Sequence, residues 1–371
     1  MKKKIGIVSL ILSICLVLSG CIFFEFDENK FRVFSADCEY TQPVSVQAPT
    51  SVTELAETLI DSCVTVCIEN KSTSKVTSFG SGVCIYAGGY IVTNYHVIKS
   101  YVSASSTYNV KVYLNKSHTG LSSKVLWYNE DLDVAIIQCS EASVPYVQMK
   151  DRSIACASSE KLRILEQVVA IGTPVDFSLQ NWCTTGEVAK LDCYTTSDSN
   201  LYENLIGHTS SINHGNSGGA LFDMNGYLVG LNTLGNDDAN SLFFAIPIYP
   251  VIQVIEKVVT LNEQEVASKL KMPKIGLTIY DGIMGYYNDK NFSIDDKGVY
   301  IDEVALGGPC QGKLLAGDIV TKIQNGSNTF EIINKHSFVY ALISSMPGDE
   351  ITVTVQRASQ TKTFTVTLIE A

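Results

Sequence analysis

The stretch Ile212-Asn213-His214-Gly215-Asn216-Ser217-Gly218-Gly219-Ala220-Leu221 sets a serine among glycines. A serine hydroxyl is a weak nucleophile until an imidazole takes its proton and a third group orients that imidazole. Five histidines are available as the base, at positions 96, 118, 208, 214 and 336. His96 closes Ile91-Val92-Thr93-Asn94-Tyr95-His96, a β-like run whose end can present a side chain outside the core. A carboxylate stands beside an apolar strand at Asp133, directly before Val134-Ala135-Ile136-Ile137. Asp131 competes for that part but lacks the apolar run immediately after it. The set His96, Asp133, Ser217 would perform acyl transfer. Glycine at 215, 218 and 219 would let the backbone approach a reacting carbonyl closely.

Such a set needs rigid elements to position it. From Val64 to about Ile248 the chain shows short strand-like runs: 83–86, 90–94, 110–114, 134–139, 168–171 and 228–234. Turn signals such as Ala87-Gly88-Gly89 and Asp223-Met224-Asn225-Gly226 separate them. Helical periods are scarce there, which indicates an all-β sandwich or a pair of barrels rather than βαβ units. Before this region, Ser51-Val52-Thr53-Glu54 has the capping-box form and opens a helix through Ile60. After it, Ile248 to Val259 carries apolar residues at helical spacing, and Leu261 to Met272 reads as a linker. A second unit runs from Lys274 onward, with a helix over 337–346. Its closing strands alternate, Ile351, Val353 and Val355, then Phe364, Val366 and Leu368.

The chain has 371 residues, 46% of them hydrophobic and 18% charged, which suits folded domains with a substantial core. Its formal net charge of −11 argues against nucleic-acid binding, which requires basic surface. Met1-Lys2-Lys3-Lys4 followed by the apolar run Ile5 to Leu18 has the form of an export leader. An uncleaved membrane helix is the alternative, since Ile5 to Phe24 approaches the roughly 20 residues needed to cross a bilayer. Both readings place the rest of the chain outside the cytoplasm. Asp37 to Thr50, with Pro43 and Pro49, reads as an extended tether. Of 11 cysteines, nine lie beyond Cys15 and Cys21, an odd number that cannot all pair within one chain. No cysteine and histidine spacing suits a zinc site, so neither a metal nor any other cofactor is expected.

Six blocks carry a family resemblance: 80–97 (GSGVCIYAGGYIVTNYHV), 133–137 (DVAII), 170–174 (AIGTP), 212–221 (INHGNSGGAL), 226–233 (GYLVGLNT) and 244–248 (FAIPI). In that order they resemble the HtrA-type (DegP/DegS-like) serine proteases over about Val64 to Val259. The resemblance implies a mostly β fold, a chymotrypsin-like double antiparallel β-barrel protease domain. It implies His96 as general base, Asp133 as its orienter and Ser217 as nucleophile. Backbone N–H groups of Gly215 and Ser217 would form the oxyanion hole, and Leu231, Asn232 and Thr233 would line the substrate pocket. The family usually has proline where His214 stands, so the loop here is expected to be less rigid. Ser211, six residues before the nucleophile, replaces the acidic residue of enzymes that cut after Arg or Lys. Cleavage after small or medium aliphatic residues is therefore expected.

Residues 274–371 resemble the α+β PDZ domain of that family. Ile275, Gly276 and Leu277 would be its carboxylate loop, and peptide C-termini would add to a sheet edge there. Leu18-Ser19-Gly20-Cys21 resembles a lipobox, which implies cleavage before Cys21 and a lipid anchor on it. The expected layout is a signal peptide over 1–20, a lipid-anchored tether over 21–50, a protease domain over 51–260, a linker over 261–273 and the PDZ domain over 274–371. The implied activity is ATP-independent cleavage of unfolded, misfolded or regulatory exported proteins at the outer face of the cell membrane. A homotrimer is a further implication of the family. A non-catalytic peptide-binding scaffold on the same fold is the competing reading.

Overall fold

The computed structural model describes residues 51–139, 143–150, 161–197, 200–235, 242–261, 273–282 and 297–370, with Pro43 and Arg152. The leader, Cys21, most of the tether and most of the linker lie outside the described residues. Among the described residues, no helix is long and apolar enough to cross a membrane.

Helix α1, Val52–Leu59, is capped as its sequence dictates: Ser51 Oγ accepts from Glu54 N–H at 3.2 Å. Its apolar spacing buries Leu55 and Leu59 completely. Six strands then close a barrel: β1 (Cys63–Asn70), β2 (Val76–Tyr86), β3 (Tyr90–Thr93), β4 (Tyr108–Tyr113), β5 (Leu121–Asn129) and β6 (Val134–Gln138). A second six close another: β7 (Gln167–Gly172), β8 (Trp182–Ser197), β9 (Asn200–His208), β10 (Ala220–Asp223), β11 (Leu228–Gly235) and β12 (Phe243–Pro247). Both barrels have the same strand order, first-second-third-sixth-fifth-fourth. Closure leaves neither barrel an edge along its full length.

Each barrel has its own interior. Val66, Ile68, Ile91 and Ile137 fill the first, and Val168, Val188, Ile206 and Leu221 the second. A further cluster joins them, with Val83, Val92 and Ile136 from one and Val169, Phe222 and Leu231 from the other. Burying a side chain of this size contributes about 1.5–3 kcal/mol before entropy is counted. The seam between barrels is therefore well fixed.

Helix α2 (Tyr95–Ser103) follows β3 directly, where the sequence was read as the end of a strand. Tyr95, Val97 and Ile98 are buried against the first barrel, which selects helix over the β-branched content. Helix α3 (Tyr249–Thr260) buries Val251, Val254, Ile255 and Val258, as its spacing predicts.

The last unit is a sheet of β14 (Leu277–Tyr280), β15 (Val299–Val304), β16 (Ile319–Asn325), β18 (Glu350–Arg357) and β19 (Gln360–Thr367), with β17 (Asn328–Glu331) hairpinned onto β16. Strands β13 (Pro273–Lys274) and β20 (Ile369–Glu370) pair beside it. Ile351, Val353, Val355 and Val366 are fully buried on one face, as the alternation requires. Helix α4 (Lys335–Ile343) begins in a capping box between Asn334 and Ser337, two residues earlier than the sequence suggests. It meets the barrels through Tyr340 set edge-on against Tyr249 at 4.8 Å, and through Lys257 Nζ donating to Ile343 O at 3.0 Å.

Candidate active site

The first N–H groups of a helix have no intrahelical acceptor. At α2 the Asn94 side chain does not supply one. Asp133 does: its Oδ1 accepts from His96 N–H at 2.9 Å, and its Oδ2 lies 2.8 Å from His96 Nδ1. A carboxylate can only accept, so the ring hydrogen belongs on Nδ1 and Nε2 is left as a base. Thr233 Oγ1 donates to the same Oδ2 at 3.3 Å, from the other barrel. Asn94 Nδ2 holds the Asp133 carbonyl at 2.9 Å. Asp133 is 5% exposed and has a φ of +51°, in the left-handed region that aspartate tolerates better than most residues. The arrangement fixes the carboxylate at three points and the imidazole at Nδ1, while the His96 side chain stays 35% exposed.

The serine loop is wedged between β2 and β11. Ser81 N–H donates to Ser217 O at 2.8 Å, and Ser81 Oγ donates to Gly215 O at 2.7 Å. On the opposite side Gly218 N–H donates to Asn232 O at 2.8 Å. Gly215 has a φ of +98°, and a Cβ there would come within 2.3 Å of Thr173 O and 2.8 Å of the Phe79 ring. No other residue fits. Among the described residues the N–H groups of Gly215 and Ser217 have no hydrogen-bond acceptor. The Ser217 hydroxyl donates to Thr233 O at 3.1 Å in this structure.

The sequence-derived pocket residues divide. Thr233 belongs to the site twice over, holding Asp133 with its hydroxyl and Ser217 with its carbonyl. Asn232 supports the serine loop, with its side chain donating to Ala220 O at 2.6 Å. Leu231 is fully buried in the seam between barrels and presents nothing to a ligand. The contact from Thr233 to Asp133 spans 100 residues and has no local signature. Ser211, in the acidic position of Arg- and Lys-specific enzymes, is exposed, and its carbonyl accepts from Thr184 Oγ1 at 2.9 Å. Burial lowers His208 and His336 to about 4, keeping both neutral. The carboxylate-loop residues of the last unit are placed as follows: Ile275 is buried, Gly276 has a φ of +71° and accepts from Ala305 N–H at 3.0 Å, and Leu277 opens β14. The seven described cysteines are all thiols. Burial pushes Cys67 up to about 12 and Cys310 to about 11, so neither is a reactive thiolate.

Residues 80–231 match the family described as a trypsin-like peptidase domain, and residues 275–368 match a PDZ domain. The chain belongs to the HtrA-type serine protease family. It is 31% identical over 294 residues to a probable periplasmic serine protease, do/HhoA-like, of Haemophilus influenzae, covering 77% of this chain and 57% of that one. It is 28% identical over 319 residues to the serine protease Do-like HtrA of Bacillus subtilis, covering 81% and 66%. This HtrA-type chain thus spans about three fifths of the length of these curated relatives. The crystal structure of the serine endoprotease from Yersinia pestis shares the fold, with a TM-score of 0.57 at 24% identity over 88% of this chain and all of that one.

Proposed function

We propose that the chain is an ATP-independent serine endopeptidase acting outside the cytoplasm on unfolded, misfolded or regulatory exported proteins. The observation that carries this reading is the convergence of His96 N–H, His96 Nδ1 and Thr233 Oγ1 on the one carboxylate of Asp133. A side-chain rotation turns Ser217 Oγ from Thr233 O toward His96 Nε2. The imidazole then takes the hydroxyl proton as Oγ attacks the scissile carbonyl, and returns it to the departing amine. Asp133 holds the imidazolium in place. The N–H groups of Gly215 and Ser217 receive the charge of the tetrahedral oxygen, each contributing about 3–4 kcal/mol to barrier lowering. Water repeats the sequence to free the acyl group.

The residue before the cut bond is small or medium aliphatic. Ser211, exposed and uncharged, offers it no charge. Peptide C-termini add along β14, which pairs only with β15 among the described strands, with their carboxylate at Ile275, Gly276 and Leu277. The lipid on Cys21 holds the chain at the membrane, and the protease domains associate as a trimer.

The test is degradation of a reduced and carboxymethylated protein by the full chain and by Ser217→Ala. Cleavage by the first alone, with products ending in Val, Ala or Ile, is the expected result. Equal cleavage by both would remove Ser217 from the mechanism, and products ending in Arg or Lys would overturn the specificity.

A further inference from the structure

A groove of about 640 Å³ lies on the far side of the serine loop from β11. That volume falls within the roughly 300–1,000 Å³ of specific ligand sites. Its walls are Phe79, Tyr113, Val175 and Phe177, and its inner end is His214 and Gly215. The groove therefore touches Gly215, whose N–H is one of the two free ones, and is bordered by residues 76–79 of β2.

Four features distinguish it from an incidental surface hollow. Tyr113 and Phe177 meet edge-to-face at 4.7 Å, and the Tyr113 ring also fills the space where a Gly120 Cβ would stand, so this wall is held in place. Val175 has a φ of +61°, a costly conformation for a β-branched residue, and is nonetheless 66% exposed. Its N–H donates to His214 O at 2.6 Å, so the strained residue is tied to the serine loop itself. Finally, the stretch 76–79 of β2 pairs with β1 on one side, while β3 pairs with β2 only from Val83 onward. Its second edge is unpaired among the described residues, and an extended chain can add there. The rim carboxylate Asp176 accepts from Ser178 N–H at 2.8 Å, and Thr77 and Ser78 add hydroxyls to a lining that is otherwise mostly apolar.

The direction of a substrate follows from the loop's neighbours. β11 holds one side of Ser217, through Asn232 O and Thr233 O, and in the endopeptidase reading it would border the acyl portion. β2 holds the other side, through Ser81. The departing half of the substrate must leave past Gly215 and His214 into the groove. We propose that this groove is a subsite for the residues following the scissile bond, and that it selects an aromatic side chain among them. The inference rests on the endopeptidase reading given above.

Acyl transfer tests it apart from that reading. The full chain is acylated with a valine-terminated peptide thioester, and phenylalaninamide or glycinamide then competes with water for the acyl-enzyme. The incoming nitrogen forms the new C–N bond as Ser217 Oγ leaves with its proton, so only the departing-side subsite distinguishes the two amines. Burying an aromatic ring is expected to favour phenylalaninamide by about tenfold or more. Phe177→Ala should cut this preference to about threefold or less, and Phe177→Leu should restore part of it. Val175→Gly should also weaken it while raising Tm, since glycine relieves the positive φ; damage to the fold would lower Tm instead. The ratio is read within each enzyme, so differences in overall rate cancel. Acylation with equal capture of both amines, or an unchanged preference in Phe177→Ala, would overturn this inference alone. Absence of any acyl-enzyme would overturn the endopeptidase reading and the inference with it.

Discussion

Asp133 and Glu203 are both carboxyl groups buried to within a few per cent, at 5% and 4% exposure, yet their surroundings are opposite. Asp133 receives His96 N–H, His96 Nδ1 and Thr233 Oγ1. Glu203, on β9, faces Asp281, which follows β14 in the last unit and itself accepts from Lys335 N–H at 2.8 Å. Burial, and then Asp281, pushes Glu203 up to about 9, with Asp192 adding to the rise and Lys335 opposing it. Burial alone disfavours a charge; donors decide whether the group carries one anyway. The first carboxylate is met by three donors and, in the proposed mechanism, orients His96. The second is pushed toward its protonated form by burial and by Asp281 of the last unit.

Asp133→Asn should break the comparison most severely. The amide leaves Nδ1 without its acceptor and favours the wrong imidazole tautomer, so kcat should fall by about ten-thousand-fold. The circular dichroism spectrum should stay as in wild type; a loss of only a few fold would mean that another group orients His96.

A smaller effect is expected at Glu203, and it appears in pH dependence. A carboxyl whose folded pKa is raised binds a proton more tightly in the folded chain than in the unfolded one. Its contribution is fully present below the ordinary value of 4.5 and is lost as pH rises through about 9. Glu203→Gln removes that dependence. The Tm of wild type should therefore fall from pH 5 to pH 9 by several degrees more than that of Glu203→Gln. Parallel curves would show that Glu203 is ionised in the fold.

The fold class was legible because barrel strands carry short apolar runs between glycine and Asn/Asp turns, and the serine loop because its glycines are contiguous. The order His96, Asp133, Ser217 was read from stretches spread over more than a hundred residues, not from any one local signal. Three features were not legible. Helix α2 hides in Tyr95-His96-Val97-Ile98, whose β-branched residues read as strand until the barrel beneath buries them. The long hairpin of β8 and β9 is polar over much of its length and shows no clean alternation. Thr233 reads as a pocket wall, and only the closing of the second barrel on the first carries its hydroxyl to Asp133. Long-range polar contacts leave no period behind.

The central claim is that His96, Asp133 and Ser217, drawn from two barrels, act as one unit. Reaction of the full chain with a fluorophosphonate, with the adduct located by peptide mass spectrometry, tests this most directly. The account requires a single adduct, on Ser217, that forms far more slowly in His96→Ala. An adduct on another serine, or Ser217 modified equally fast without His96, would contradict it.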